Sequence, residues 1–216
     1  MHKRARIASR LIMRHILPFR ERKRKKAIDG ALTEIARQRG KSQQHGFESS
    51  AVLFNIALFF LIAERDIQAV KVDALTHPDP WKRSLCTRII LLTIHELDMD
   101  KVAGNKLRDA LADAGVSNEA KRQATQALRA IRNAQQKAQK QFSFLRNATI
   151  AHRDSDALLQ YRAISGLDEM AVLKIASEFY EGTHMFLAVL PDLMLRVGTL
   201  PGLLNQMKSR AKQRST

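Results

Sequence analysis

Apolar side chains recur every three or four residues along almost the whole chain, and that spacing is the period of an α-helix. Nowhere do β-branched residues alternate with polar ones over the length of a strand, and no Asn-Gly pair offers a tight hairpin turn. This confines the fold to the all-α class: a helical bundle of four to six helices joined by short loops. With 216 residues the chain can bury a core without disulfides or metals. Its hydrophobic share of 45% argues against disorder through the middle.

Breaks and caps divide the pattern. A basic amphipathic segment over about residues 3–16 is expected to end near Pro18, and a second runs over 20–38 with Ile28, Leu32 and Ile35 on its apolar side. Gly40 to Gly46 reads as a polar loop. Ser49-Ser50 can cap a buried helix reaching about Val70. His77-Pro78-Asp79-Pro80 is a break, followed by a helix from Trp81 to Leu97. A short helix, Lys101 to Ala114, stops at Gly115. Ser117-Asn118-Glu119 opens a long one through Ala138 to Arg146. Residues 153–166 read as irregular, and Asp168 caps a last long helix to about Val197, kinked by Pro191.

Charge is distributed unevenly. The chain carries a formal +16, of which residues 1–45 hold +11 and residues 208–216 hold +4. This predicts a basic N-terminal helical arm (1–45), a near-neutral helical body (46–207) and a basic tail (208–216). Basic ends on a neutral body suit an anionic polymer or an anionic membrane surface, with Lys23, Arg24, Lys25 and Lys26 candidate phosphate contacts. The longest apolar run, Val52 to Ala63, contains Asn55 and ends in Glu64-Arg65-Asp66, so it reads as a core helix and not as an integral membrane segment. The single cysteine, Cys86, excludes an internal disulfide and fits a small buried hydrophobe in a reducing, cytoplasmic setting.

The segment with chemical content is Arg146-Asn147-Ala148-Thr149-Ile150-Ala151-His152. It sets an arginine, an amide, four small or apolar residues and a histidine between the long helix and the irregular stretch. Two other Arg-to-His pairs have similar spacing. Arg39 to His45 lies in the polar loop, and Arg88 to His95 encloses Ile-Ile-Leu-Leu-Thr-Ile, which must be core. His95 and His184 read as core or boundary residues. No His-Glu-x-x-His and no Cys/His cluster is present, so neither a metal nor another cofactor is called for. Gly40-Lys41-Ser42 imitates the end of a phosphate loop, but Ile35 stands where its first glycine belongs.

The Arg146-to-His152 segment resembles the signature of the HEPN superfamily of helical bundles. The wider run Leu-Arg-Asn-x-x-x-Ala-His-Arg-Asp is similar to its abortive-infection (AbiU-like) branch, over about residues 48–197. The resemblance implies a metal-independent endoribonuclease of toxin or phage-defence type, with an antitoxin as a further partner. It also implies a homodimer whose two motifs face one cleft. Pairing eases a geometric difficulty, because on a straight helix Arg146 and His152 would stand about 120° apart and about 9 Å apart along the axis.

By the same resemblance, a ribose 2′-hydroxyl attacks the neighbouring phosphorus, leaving a cyclic phosphate and a 5′-hydroxyl. His152 would move the proton, Arg146 would stabilise the phosphoryl oxygens, and Asn147 would donate to phosphate or fix the imidazole. Lys140 and Arg153 would carry neighbouring phosphates. Phe144 and Tyr161 are expected to pack in the core, and either would stack a base if it does not. The alternative is a non-catalytic module of the same fold that binds RNA, nucleotide or a partner protein. A third reading, a DNA-binding helix-turn-helix around Gly115, would present Asn118, Lys121, Arg122 and Gln126 to a groove.

Overall fold

The computed structural model describes residues 2–102, 104–113, 116–151 and 154–214. Among these residues the regular structure is entirely helical, and the chain is an all-α helical bundle. The elements are α1 (His2–Gln44), α2 (Glu48–Thr76), α3 (Pro80–His95), α4 (Met99–Val102), α5 (Gly104–Asp113) and α6 (Asn118–Arg146). A π-helical turn (Asn147–Ala151) follows, and then come α7 (Ala157–Ser165), α8 (Glu169–Gly198) and α9 (Leu200–Arg214).

Most boundaries follow local chemistry. Asp79 caps α3 by accepting from the backbone N–H of Trp81 at 2.9 Å, with Pro80 at the first helical position. Ser117 Oγ accepts from Ala120 N–H at the start of α6, and Asp168 accepts from the N–H groups of Met170 and Ala171 before α8.

Ser49 and Ser50, expected as the cap of α2, lie inside its first turn, because α2 begins at Glu48, and it runs on to Thr76. Boundaries elsewhere differ from the expectation too. First, α1 continues through Pro18, which lies on the exposed side, where a carbonyl deprived of its N–H partner can bind water. Second, α1 also takes in most of the expected polar loop and stops at Gly46. There φ is 71°, Phe47 N–H donates to Ser42 O at 2.8 Å and Gly46 N–H donates to Gln43 O at 3.2 Å, the paired bonds of a Schellman ending. Third, the stretch expected to be irregular contains α7, started by Asp156, whose carboxylate accepts from the N–H groups of Leu158 and Leu159. The described part of the C-terminal basic stretch continues α9.

The chain divides into two compact units, and the long helices supply segments to each. The first comprises Met1–Asp29, Ala63–Leu97 and Asn133–Tyr180; the second comprises Gly30–Ile62, Asp98–Arg132 and Glu181–Thr216. The first unit is centred on Ile67, Ile90, Leu91, Ile94, Val172 and Phe179, all fully buried. Cys86 is buried in the same unit, and burial pushes its thiol up. The second unit is centred on Leu53, Ile56, Phe60, Ile131, Phe186 and Leu193. In that unit α6 turns Ala120, Ala124 and Ala127 inward, so its Ala-rich sequence is a close-packing face and not simply a solvated one. Among the described residues no single helix is long and apolar enough to cross a membrane.

A charged cluster lies inside the first unit. Arg24 pairs with the buried Glu64 and lies over the ring of Tyr180, 5.1 Å from its centroid. Lys71 binds Glu21 at 2.7 Å and lies 5.4 Å from the same ring. Burial, reinforced by the Glu64 carboxylate and only partly offset by Arg24, pushes the Tyr180 phenol well above its ordinary value of 10.0. The folded chain therefore keeps this proton at a pH where the unfolded chain has lost it. The associated stability is complete below about pH 10 and is lost as pH rises above it. Denaturant titrations of the wild type are expected to show this alkaline loss, and Tyr180→Phe should lack it. Parallel curves for the two proteins above pH 10 would exclude the effect.

Candidate functional site

The C-terminal end of α6 is fixed from below. Leu145, Ala148 and Thr149 are buried, and Thr149 Oγ1 donates to Leu145 O at 2.7 Å. From Asn147 the helix widens into the π-helical turn, a departure often found at functional positions. This turn packs against α3 and α7, and Asp154 N–H reaches back to Ala148 O at 3.0 Å. The motif therefore does not sit on a straight helix, and the angular difficulty calculated for one does not apply unchanged. His152 and Arg153 lie outside the described residues.

Arg146 is half-buried at the start of this turn, and Asn147 is exposed. The guanidinium donates through Nε to Glu96 Oε1 at 2.7 Å and through Nη1 to Asn147 Oδ1 at 2.7 Å. It is thus held in a defined plane with part of its fork occupied. Because the Asn147 oxygen accepts from Arg146, the amide nitrogen remains as its outward donor.

Glu96 was not marked by any motif. It sits at the C-cap of α3, where its own N–H donates to Leu92 O at 2.9 Å. Gln135 of α6 donates to the carbonyl of Leu97 and, at 3.5 Å, to that of His95, tying the end of α3 to α6. His95 comes with it. Its Nδ1 lies 3.4 Å from Glu96 Oε1, and its Nε2 lies 3.4 Å from the hydroxyl of Ser143. Expected as a core or boundary residue, His95 is half-buried and shares a carboxylate with Arg146. His184, given the same expectation, is exposed.

From the end of α6 into the first residue of the π-helical turn, Lys140, Phe144 and Asn147 follow one another at steps of four and three residues and are all exposed, so they form one line on the surface. Phe144 is 63% exposed and Tyr161 of α7 is 58% exposed, so neither is spent on the core. The arm cations separate. Lys23, Lys25 and Lys26 are exposed, whereas Arg24 is engaged with Glu64. Of the groove residues proposed for a helix-turn-helix, Arg122 is bound to Glu119 of its own helix at 2.9 Å. Among the described residues no group of three His, Cys, Asp or Glu side chains is placed to hold a metal ion.

Compared with known protein families, curated proteins and solved structures, the chain matches none.

Proposed function

We propose that this chain is a metal-independent endoribonuclease of the HEPN type, resembling its abortive-infection branch and acting in the cytoplasm as a homodimer. The observation that carries this reading is the arrangement at the end of α6. A cation, an aromatic ring and an amide (Lys140, Phe144, Asn147) stand in one exposed line, beside a guanidinium oriented by Glu96 at the start of a π-helical turn. Such a line suits a single RNA strand. Lys140 meets a phosphate, Phe144 offers a stacking face, and the Asn147 amide donates to the next phosphate oxygen.

Arg146 then stabilises charge developing on the phosphoryl group, and His152 takes the 2′-hydroxyl proton or returns one to the leaving 5′-oxygen. Arg153 adds a further phosphate contact. Pairing of two chains about a two-fold axis brings both motifs to one cleft. An activity of this kind calls for an antitoxin or another restraint in the cell. The test is incubation of the purified protein with single-stranded RNA in EDTA. Cleavage is expected, and intact RNA would remove the catalytic reading.

One observation favours the alternative, a non-catalytic RNA-binding module: Glu96 already occupies part of the Arg146 fork. The two readings separate at Glu96→Ala. In the nuclease, Glu96 positions Arg146, so its loss should lower kcat by about 10–100-fold while RNA binding tightens, because a negative charge has gone from beside the phosphate. In a binding module affinity alone would rise. An unchanged kcat in a cleaving enzyme would deny Glu96 this role.

A further inference from the structure

The first half of α1 carries an apolar face that, among the described residues, is exposed. Ile28 marks the inward side, in line with the half-buried Arg10, Arg14, Leu17 and Glu21. Ile12, Ile16 and Phe19, at steps of four and three residues, fall on the opposite side and are 60%, 43% and 72% exposed. A helix that needed only solubility would place polar residues there.

The surroundings of this stripe are cationic. Lys23 and Lys26 continue it along the helix, Arg20 and Arg22 flank it, and the Arg22 guanidinium sits over the Phe19 ring at 6.0 Å. Between residues 1 and 26 the only acid is Glu21, and it is paired with Lys71.

We propose that this face of α1 docks on an anionic lipid bilayer. Ile12, Ile16 and Phe19 would enter the boundary between headgroups and acyl chains, while Lys23, Lys26, Arg20 and Arg22 would meet the lipid phosphates. Charge complementarity selects the occupant. A second copy of this chain would bring the same dense positive charge against itself. RNA would satisfy the cations but give Ile12 and Ile16 no apolar phase to enter. A bilayer surface offers both in the order the helix presents them. This inference uses none of the residues at the end of α6, and it turns Lys23 and Lys26 from RNA phosphates to lipid phosphates.

The test uses the full chain and vesicles of phosphatidylcholine alone or with about one third phosphatidylglycerol. Co-sedimentation is expected with the anionic vesicles and not with the neutral ones, weakening as salt is raised. The Ile12→Ser, Ile16→Ser, Phe19→Ser triple variant changes only exposed positions. It should keep its helical circular dichroism and lose binding by about 100-fold. Phe19→Trp should blue-shift its emission on adding anionic vesicles and be quenched by brominated acyl chains. Failure to bind anionic vesicles, equal binding by the triple variant, or an unshifted Phe19→Trp would each overturn the proposal. So would binding to poly(U) that the triple variant retains in full while neither protein binds vesicles.

Discussion

Arg146→Ala and His152→Ala are each expected to slow RNA cleavage by about 10²–10⁴-fold, the range for losing a phosphoryl-stabilising donor or a positioned proton-transfer group. The arginine should be the less forgiving of conservative change. Arg146 is held through two edges of its guanidinium, Nε to Glu96 and Nη1 to Asn147. A lysine carries the charge without the planar fork, so Arg146→Lys should recover little. Two other histidines serve as controls. His45 belongs to a rejected Arg-to-His pair and is exposed, so His45→Ala should cleave like the wild type. His95 shares Glu96 with Arg146, and His95→Ala should cost less than His152→Ala. If cleavage vanished with His95→Ala and survived His152→Ala, the reactive imidazole would belong to α3 and the motif assignment would fail.

The largest effect on stability is expected from Phe60→Ala. Phe60 is fully buried, and its ring meets Phe186 edge-on, with centroids 5.2 Å apart and planes at 61°. Truncation removes the transfer free energy of the ring, leaves a cavity and deletes the aromatic pair, for about 3–5 kcal/mol in all. For a chain of this length that corresponds to a fall in melting temperature of about 6–20 °C. The same unit contains a close helix–helix approach at Gly182 of α8. A Cβ built there would lie 2.8 Å from Ile131 Cγ1 and 2.9 Å from the Ile131 backbone nitrogen. Gly182→Ala should therefore destabilise despite its better helix propensity, by about 1–3 kcal/mol. Thermal denaturation of both variants checks this. A Phe60→Ala protein that melts within about 3 °C of the wild type would mean that this core is looser than its burial indicates.

The class of fold is legible in the residues because helical periodicity is continuous and strand patterning is missing. Caps at Ser117 and Asp168 are legible for the same local reason, a short polar side chain satisfying N–H groups two or three residues ahead, but the same signal at Ser49-Ser50 misplaced the start of α2, which lies at Glu48. Pro18 misled, since a proline on an exposed side breaks a helix less than its lost hydrogen bond suggests. The stop at Gly46 needed a choice between two glycines, and the choice rests on the positive φ at Gly46, a backbone fact that no local pattern announces. At the site, Arg146 and Asn147 were marked by their motif. Glu96 was not, because it meets Arg146 across fifty positions of chain and owes its place to Gln135 holding the end of α3. The exposure of Phe144 was missed because an aromatic within an apolar-spaced helix has the same local signature whether it faces the core or the solvent.

The proposed reaction uses the RNA's own 2′-hydroxyl as nucleophile. It is tested most directly with an oligonucleotide bearing a single 2′-deoxy sugar on the 5′ side of the preferred cleavage position, in EDTA. The all-ribose strand is expected to yield a 2′,3′-cyclic phosphate and a 5′-hydroxyl, and the single deoxy substitution to abolish cutting at that bond. Continued cutting at the deoxy position, or products ending in a 5′-phosphate, would contradict it.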